Sequence, residues 1–139
     1  MIISLELRWI HKKAKDLVYP HMVFVEKLDN CSGCFYGPMK DEFFVHGNYY
    51  DFSKGIIFIG ERQNSNEISN IIAHEWRHYW QVYNCAPHPV TEFNSKIGYE
   101  KAIAEYFKSP YERDAHNFAH RFSPSPVSEY WTEIINANH

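Results

Sequence analysis

The stretch Ser65-Asn-Glu-Ile-Ser-Asn-Ile-Ile-Ala-His-Glu-Trp-Arg-His-Tyr-Trp-Gln-Val-Tyr83 decides the fold. Its apolar residues Ile68, Ile71, Ile72, Trp76, Tyr79 and Val82 (or Tyr83) recur at three- and four-residue steps. That is the period of a helix with one buried face, so the spacing predicts an amphipathic helix over residues 65–83. Inside it, His74-Glu75-Trp76-Arg77-His78 has the form HExxH. Residues i and i+4 sit one turn apart on the same face, so both imidazoles can point at one ion. Glu75, offset by one position, flanks such an ion and can take a proton from a water that the ion polarises.

Upstream of this helix the period is two. Ile3, Leu5, Leu7 and Trp9 alternate with Ser4, Glu6 and Arg8, which predicts a half-buried strand. A basic link, Lys12 to Lys15, leads to a β-branched and aromatic segment around Met22-Val-Phe-Val25. Cys31, Gly33, Cys34, Gly37 and Pro38 read as a turn. Residues 42–46 and the run Gly55-Ile-Ile-Phe-Ile-Gly60 complete the strands. The links between these segments are too short for helical crossovers, which predicts mostly antiparallel neighbours.

Downstream the period is helical again. Pro87 and Pro89 carry a loop, and a second helix is expected from Thr91 or Glu92 to Phe107, burying Phe93, Ile97, Ile103 and Phe107. Ser109-Pro-Tyr-Glu112 opens a third helix, with serine as N-cap, proline at the first position and glutamate three residues after the cap. It runs to about Phe122, where Ser123-Pro-Ser-Pro126 breaks it, and a closing helix covers residues 127–136. The fold class is α+β: a small, mostly antiparallel N-terminal sheet, then an active-site helix and two or three further helices. At 139 residues the chain has room for one domain, 1–139, in which 123–139 forms a C-terminal tail helix.

Charge and composition exclude several classes. With 17 acidic against 14 basic groups and a net charge of -3, no basic surplus exists to neutralise phosphates, so no nucleic-acid partner is expected. No apolar run approaches the roughly 18 residues of a spanning helix, so no membrane partner is expected either. Three cysteines, Cys31, Cys34 and Cys85, cannot all pair within one chain, and the opening residues do not form a secretory segment. Both features predict a reducing, cytoplasmic setting.

Two imidazoles need a third protein ligand to make a catalytic zinc site. Asn84, His88, Glu92, Glu100, Glu105, Glu112, His116 and His120 all lie downstream. Glu112 is preferred because Ala115 and Ala119 give its helix a narrow face that can pack closely on the His74–His78 helix. His88 and His116 stay open as alternatives. The competing role for Glu112 is the acidic member of a Ser109-x-x-Glu112 capping box, which needs no metal.

HEWRH followed by a glutamate ligand on a later helix resembles the gluzincin branch of the zincin metallopeptidases. The size and the order of sheet then helices look like its single-domain members, the minigluzincins. His74-Glu-Trp-Arg-His-Tyr-Trp-Gln81 and Pro110-Tyr-Glu-Arg-Asp-Ala115 also resemble paired motifs in small bacterial and phage proteins. The metzincin pattern would need glycine at 81 and histidine at 84, where this chain has Gln81 and Asn84. The resemblance implies one zinc ion bound by His74, His78 and Glu112, with Glu75 as general base and a peptide or protein as substrate. It also implies that strand 55–60 forms the rim of the cleft, and that Tyr111, His116 or His120 stands in for the oxyanion stabiliser. An aspartate four residues after the glutamate ligand supports a zinc histidine in larger gluzincins; here position 116 is His116, and Asp114 comes two residues after Glu112.

The rival class is a non-enzymatic binding or assembly protein that keeps a zincin-like fold, with or without a structural metal. A third class is a redox or metal-handling module using Cys31 and Cys34. Residues 123–139, with Tyr130 and Trp131, could also fold over the cleft as a self-inhibitory tail.

Overall fold

The computed structural model describes residues 21–25, 32–36, 42–45, 47–53, 55–60, 65–84 and 91–138. Strands β1 (His21–Val25), β2 (Gly33–Tyr36), β3 (Glu42–Val45), β4 (Asn48–Asp51) and β5 (Ile56–Gly60) precede the helices found among the described residues. Helices α1 (Ser65–Asn84), α2 (Tyr99–Tyr106), α3 (Pro110–Phe122) and α4 (Pro126–Ala137) follow, with a 3-10 turn at Ser95–Ile97. The chain is α+β, with the sheet N-terminal to four helices among the described residues. The expected strand over residues 3–9, the basic link at Lys12 to Lys15, Cys31, Cys85 and His88 lie outside the described residues.

β5 is the centre of a three-stranded sheet in the order β1-β5-β2, and β3 pairs with β4 as a separate hairpin. β3–β4 is antiparallel, as its two-residue link requires, and β2–β5 is antiparallel across the intervening hairpin, whereas β1 runs parallel to β5 with Met22 opposite Ile57. Parallel neighbours need a long connection. The chain between β1 and β5 supplies it, and its described residues carry β2 and the hairpin.

The unbroken apolar run of β5 follows from burial on both faces. Ile57 and Ile59 face α1 and pack with Ile72, Ala73, Trp76, Tyr79 and Ala119. Ile56 and Phe58 face the other way and pack with Phe52, with Val45 and Tyr50 of the hairpin against them. Tyr50 meets Phe58 edge-on at 5.2 Å, so it belongs to the hairpin packing, while Tyr49 lies exposed against Phe44. A strand enclosed in this way has no edge to offer. The expectation that strand 55–60 forms a cleft rim is therefore corrected: β1 and β2 occupy both of its hydrogen-bonding sides.

β2 also corrects the reading of the cysteine segment. Gly33 and Cys34 open a strand, and Cys34 packs beside Phe52 and Phe58. The glycine serves a close approach rather than a turn. A Cβ at position 33 would lie 2.4 Å from Ile71 Cγ2 and 3.3 Å from Glu75 Cγ. Gly33→Ala should therefore push β2 off α1 at the turn that carries Glu75. A loss of about 1–3 kcal/mol in stability is expected from such overpacking, read by thermal or urea denaturation. An unchanged midpoint would contradict this packing.

α1 begins and ends where the periodicity puts it, within a residue. α2 does not. A helix from Thr91 or Glu92 was expected, but Gly98 has φ 92 and separates the 3-10 turn from α2. Ile103 and Phe107 are buried as expected, whereas Phe93 and Ile97, upstream of the break, are exposed. α4 is a core element: Ile134 packs with Ile103 and Phe107, and Asn70 Nδ2 of α1 donates to the Ser123 carbonyl at 2.9 Å. That packing makes 123–138 part of the folded body, against the reading of this segment as a tail laid over a cleft. Among the described residues, no helix is long and apolar enough to cross a membrane.

Candidate metal centre

The small-residue face of α3 meets α1 directly. Ala115 and Ala119 are fully buried, and α1 makes its most extensive contacts with α3. Close approach at this face brings Glu112, one turn upstream of His116, onto the histidine face of α1. His78 Nε2 lies 2.9 Å from Glu112 Oε1, His74 Nε2 lies 3.1 Å from the same oxygen, and the two nitrogens are 3.2 Å apart. Three donor atoms from two helices thus form a triangle, and all three residues are buried. A tetrahedral ion with bonds of about 2.0–2.1 Å separates its donors by about 3.3 Å. The donor types and their spacing fit a zinc ion.

The alternative role for Glu112 fares worse. Ser109 occupies the N-cap of α3, yet its side chain makes no capping hydrogen bond. A working box does form one helix later, between Ser125 and Ser128 at the start of α4. Glu112 spends its carboxylate on the two histidines.

Among the described residues, the other downstream candidates are not brought to the cluster. Glu92, Glu100 and Glu105 are exposed, and Glu105 bonds Lys108 at 2.9 Å. His116 Nε2 is 2.9 Å from Thr132 Oγ1, and His120 Nδ1 is 2.9 Å from Ser128 Oγ, so both rings are turned towards α4. This removes His116 as the third ligand in this arrangement and directs both histidines away from an oxyanion role. Burial, with the neighbouring His74 and His120, lowers the His116 pKa to about 4, so this ring is neutral near pH 7.

Electrostatics bind the triangle together. Burial pushes the Glu112 carboxyl up, but the hydrogen bonds from His74 and His78 outweigh it and hold the group well below its ordinary value. Burial acts to lower His78; the hydrogen bond to Glu112, the charges of Glu75 and Glu112 and the contact with Gln81 overcome it, and His78 is pushed up to about 9. Glu75, partly buried beneath Gly33, is pushed up by desolvation against the opposing pull of His74 and His78.

A pH dependence follows with a definite sign. Below about 9, His78 of the metal-free protein is protonated, and only the neutral ring can ligate. Zinc must displace that proton, so affinity should rise about tenfold per pH unit between pH 7 and 9. Chelator competition across that range, with one proton released per ion in buffer-dependent calorimetry, would show it. A flat profile would contradict it.

Three further residues complete the centre: Gln81 and Arg77, to which sequence reading assigns no such part, and Asp114, which stands two residues after Glu112 rather than four. His78 Nδ1 is 2.8 Å from Gln81 Oε1, and Gln81 Nε2 donates to Asp114 Oδ2 at 2.9 Å. Arg77 donates to both carboxylate oxygens of Asp114, at 2.8 and 3.2 Å. The i, i+3 spacing of His78 and Gln81 was visible in the chain, but the docking register of α3 was not. Comparison with protein-family models, with curated proteins and with solved structures finds no match to this chain.

Proposed function

We propose that this protein is a gluzincin-like zinc peptidase in which His74, His78 and Glu112 hold one zinc ion and Glu75 is the general base. The observation that carries the reading is the convergence of His74 Nε2, His78 Nε2 and Glu112 Oε1 to within 3.2 Å of one another, from positions 34 and 38 residues apart. When bound, zinc supplies Lewis-acid polarisation of a water and of the substrate carbonyl.

The protein's own groups do the rest. The two imidazoles present nitrogen lone pairs, and the Glu112 carboxylate supplies compensating negative charge in a buried setting. Glu75 accepts a proton as the water oxygen adds to the peptide carbonyl carbon. It then returns that proton to the amide nitrogen as the C–N bond breaks. β2 is bonded only to β5 among the described strands and packs on α1 beside Glu75. An extended peptide would add along that edge, giving it main-chain hydrogen bonds next to the base.

The experiment is cleavage of a peptide library by the zinc-loaded protein, compared with Glu75→Gln. Cleavage by the first and none by the second supports the reading. Equal cleavage by both, or none by a fully zinc-loaded wild type, contradicts it.

A further inference from the structure

The Gln81 side chain is buried, and its neighbours allow its amide only one orientation. The amide nitrogen lies 3.0 Å from the Tyr111 carbonyl oxygen and 2.9 Å from Asp114 Oδ2. A carbonyl and a carboxylate can only accept, so the nitrogen must face them. Both carboxylate oxygens of Asp114 also accept from the Arg77 guanidinium, at 2.8 and 3.2 Å, which fixes this group as the acceptor of the pair. The amide oxygen is therefore the atom 2.8 Å from His78 Nδ1.

An amide oxygen also only accepts, so His78 Nδ1 must carry a proton. The neutral ring then has its lone pair on Nε2, the atom that joins the donor triangle. An imidazole without such a partner can place its proton on either nitrogen, and with the proton on Nε2 it cannot ligate there. The far end of the chain is anchored as well. The Arg77 guanidinium lies 3.9 Å from the centre of the Trp80 ring and 4.9 Å from that of Phe118, and it grips Asp114 through two nitrogens.

Resting on the zinc reading above, we propose that Gln81 and Asp114 are positioning residues that fix the tautomer of His78: Arg77 and Gln81 donate to Asp114, and His78 donates to Gln81. An amide here replaces the direct carboxylate–imidazole contact through which metal-bound histidines are commonly oriented. The amide transmits orientation without placing a second negative charge against the ring.

The test uses the full chain with zinc alone as the probe. Zinc affinity is measured by chelator competition for the wild type, Gln81→Leu, Gln81→Glu and Asp114→Asn. Exchange of the His78 Nδ1 proton is followed by 15N-edited NMR of the zinc-loaded proteins. Gln81→Leu should weaken zinc binding about 10–100-fold and unprotect the His78 Nδ1 proton, leaving that of His74 unchanged. Gln81→Glu keeps an acceptor at the ring but has no N–H for the Tyr111 carbonyl and Asp114, so it should recover only part of the loss. Asp114→Asn, at a partly exposed position, frees the Gln81 amide to turn over and carries the test should Gln81→Leu not fold; a loss of about tenfold is expected.

Zinc affinity within twofold of wild type in the folded variants, with the His78 proton still protected, would overturn the inference while leaving the metal site intact. A wild-type protein that binds no zinc would overturn the site and the inference together.

Discussion

Glu112→Ala should abolish stoichiometric zinc binding. A structural zinc ion in a protein is held by roughly 10–16 kcal/mol, so one ligand of a tetrahedral set accounts for about 4 kcal/mol, or about a thousandfold in affinity. Two imidazoles on one helix remain after the substitution, a pair that binds divalent ions weakly and without selectivity. Chelator competition reads the loss directly, and Glu105→Ala, at an exposed glutamate paired with Lys108, is the matched control with no expected effect. If Glu112 served only to cap α3, the same substitution would leave zinc binding in place and cost about 1 kcal/mol of stability. The two roles thus predict losses in different measurements.

Glu75→Gln should reduce peptide cleavage by about a hundredfold to ten-thousandfold, with zinc affinity kept within about threefold. Glutamine has nearly the same shape and fits the same space under Gly33, so β2 and α1 keep their contact. It cannot accept the proton of an attacking water. A residue that merely filled space at this position would show no such split between metal binding and turnover. Retained activity in Glu75→Gln would remove the general base from the account. A wild type that binds zinc tightly and cleaves nothing would favour the binding or assembly scaffold.

Local physics made part of this structure readable from the sequence. α1 follows from the spacing of Ile68, Ile72, Trp76 and Tyr79, because a helix repeats its environment every 3.6 residues. The start of α3 follows from Pro110, whose fixed φ suits a first turn. Glu112 could be selected because Ala115 and Ala119 announced a close helix contact. What stayed hidden depends on distant partners. β1 and β5 are parallel across some thirty residues of chain, and nothing within either strand encodes its neighbour. That pairing turned β5 into a central strand and left β1 and β2 as the edges among the described strands. Gly33 read as a turn residue because its true constraint, the Ile71 and Glu75 side chains, lies on another element. Gly98 falls inside the helix expected from Thr91 or Glu92 to Phe107, and its positive φ marks the break there. Gln81 acquires its part only once α3 docks and presents the Tyr111 carbonyl and Asp114.

The central claim is that one ion joins α1 to α3 through two imidazoles and a carboxylate. Zinc-edge X-ray absorption on the loaded protein, paired with anomalous diffraction to place the ion, tests it most directly. The account predicts two nitrogen ligands at about 2.0–2.1 Å and a carboxylate oxygen at about 2.0–2.2 Å, assigned to His74 Nε2, His78 Nε2 and Glu112 Oε1. An ion bound elsewhere, or a protein that refuses zinc while its triangle of side chains stays closed by protons alone, would contradict it.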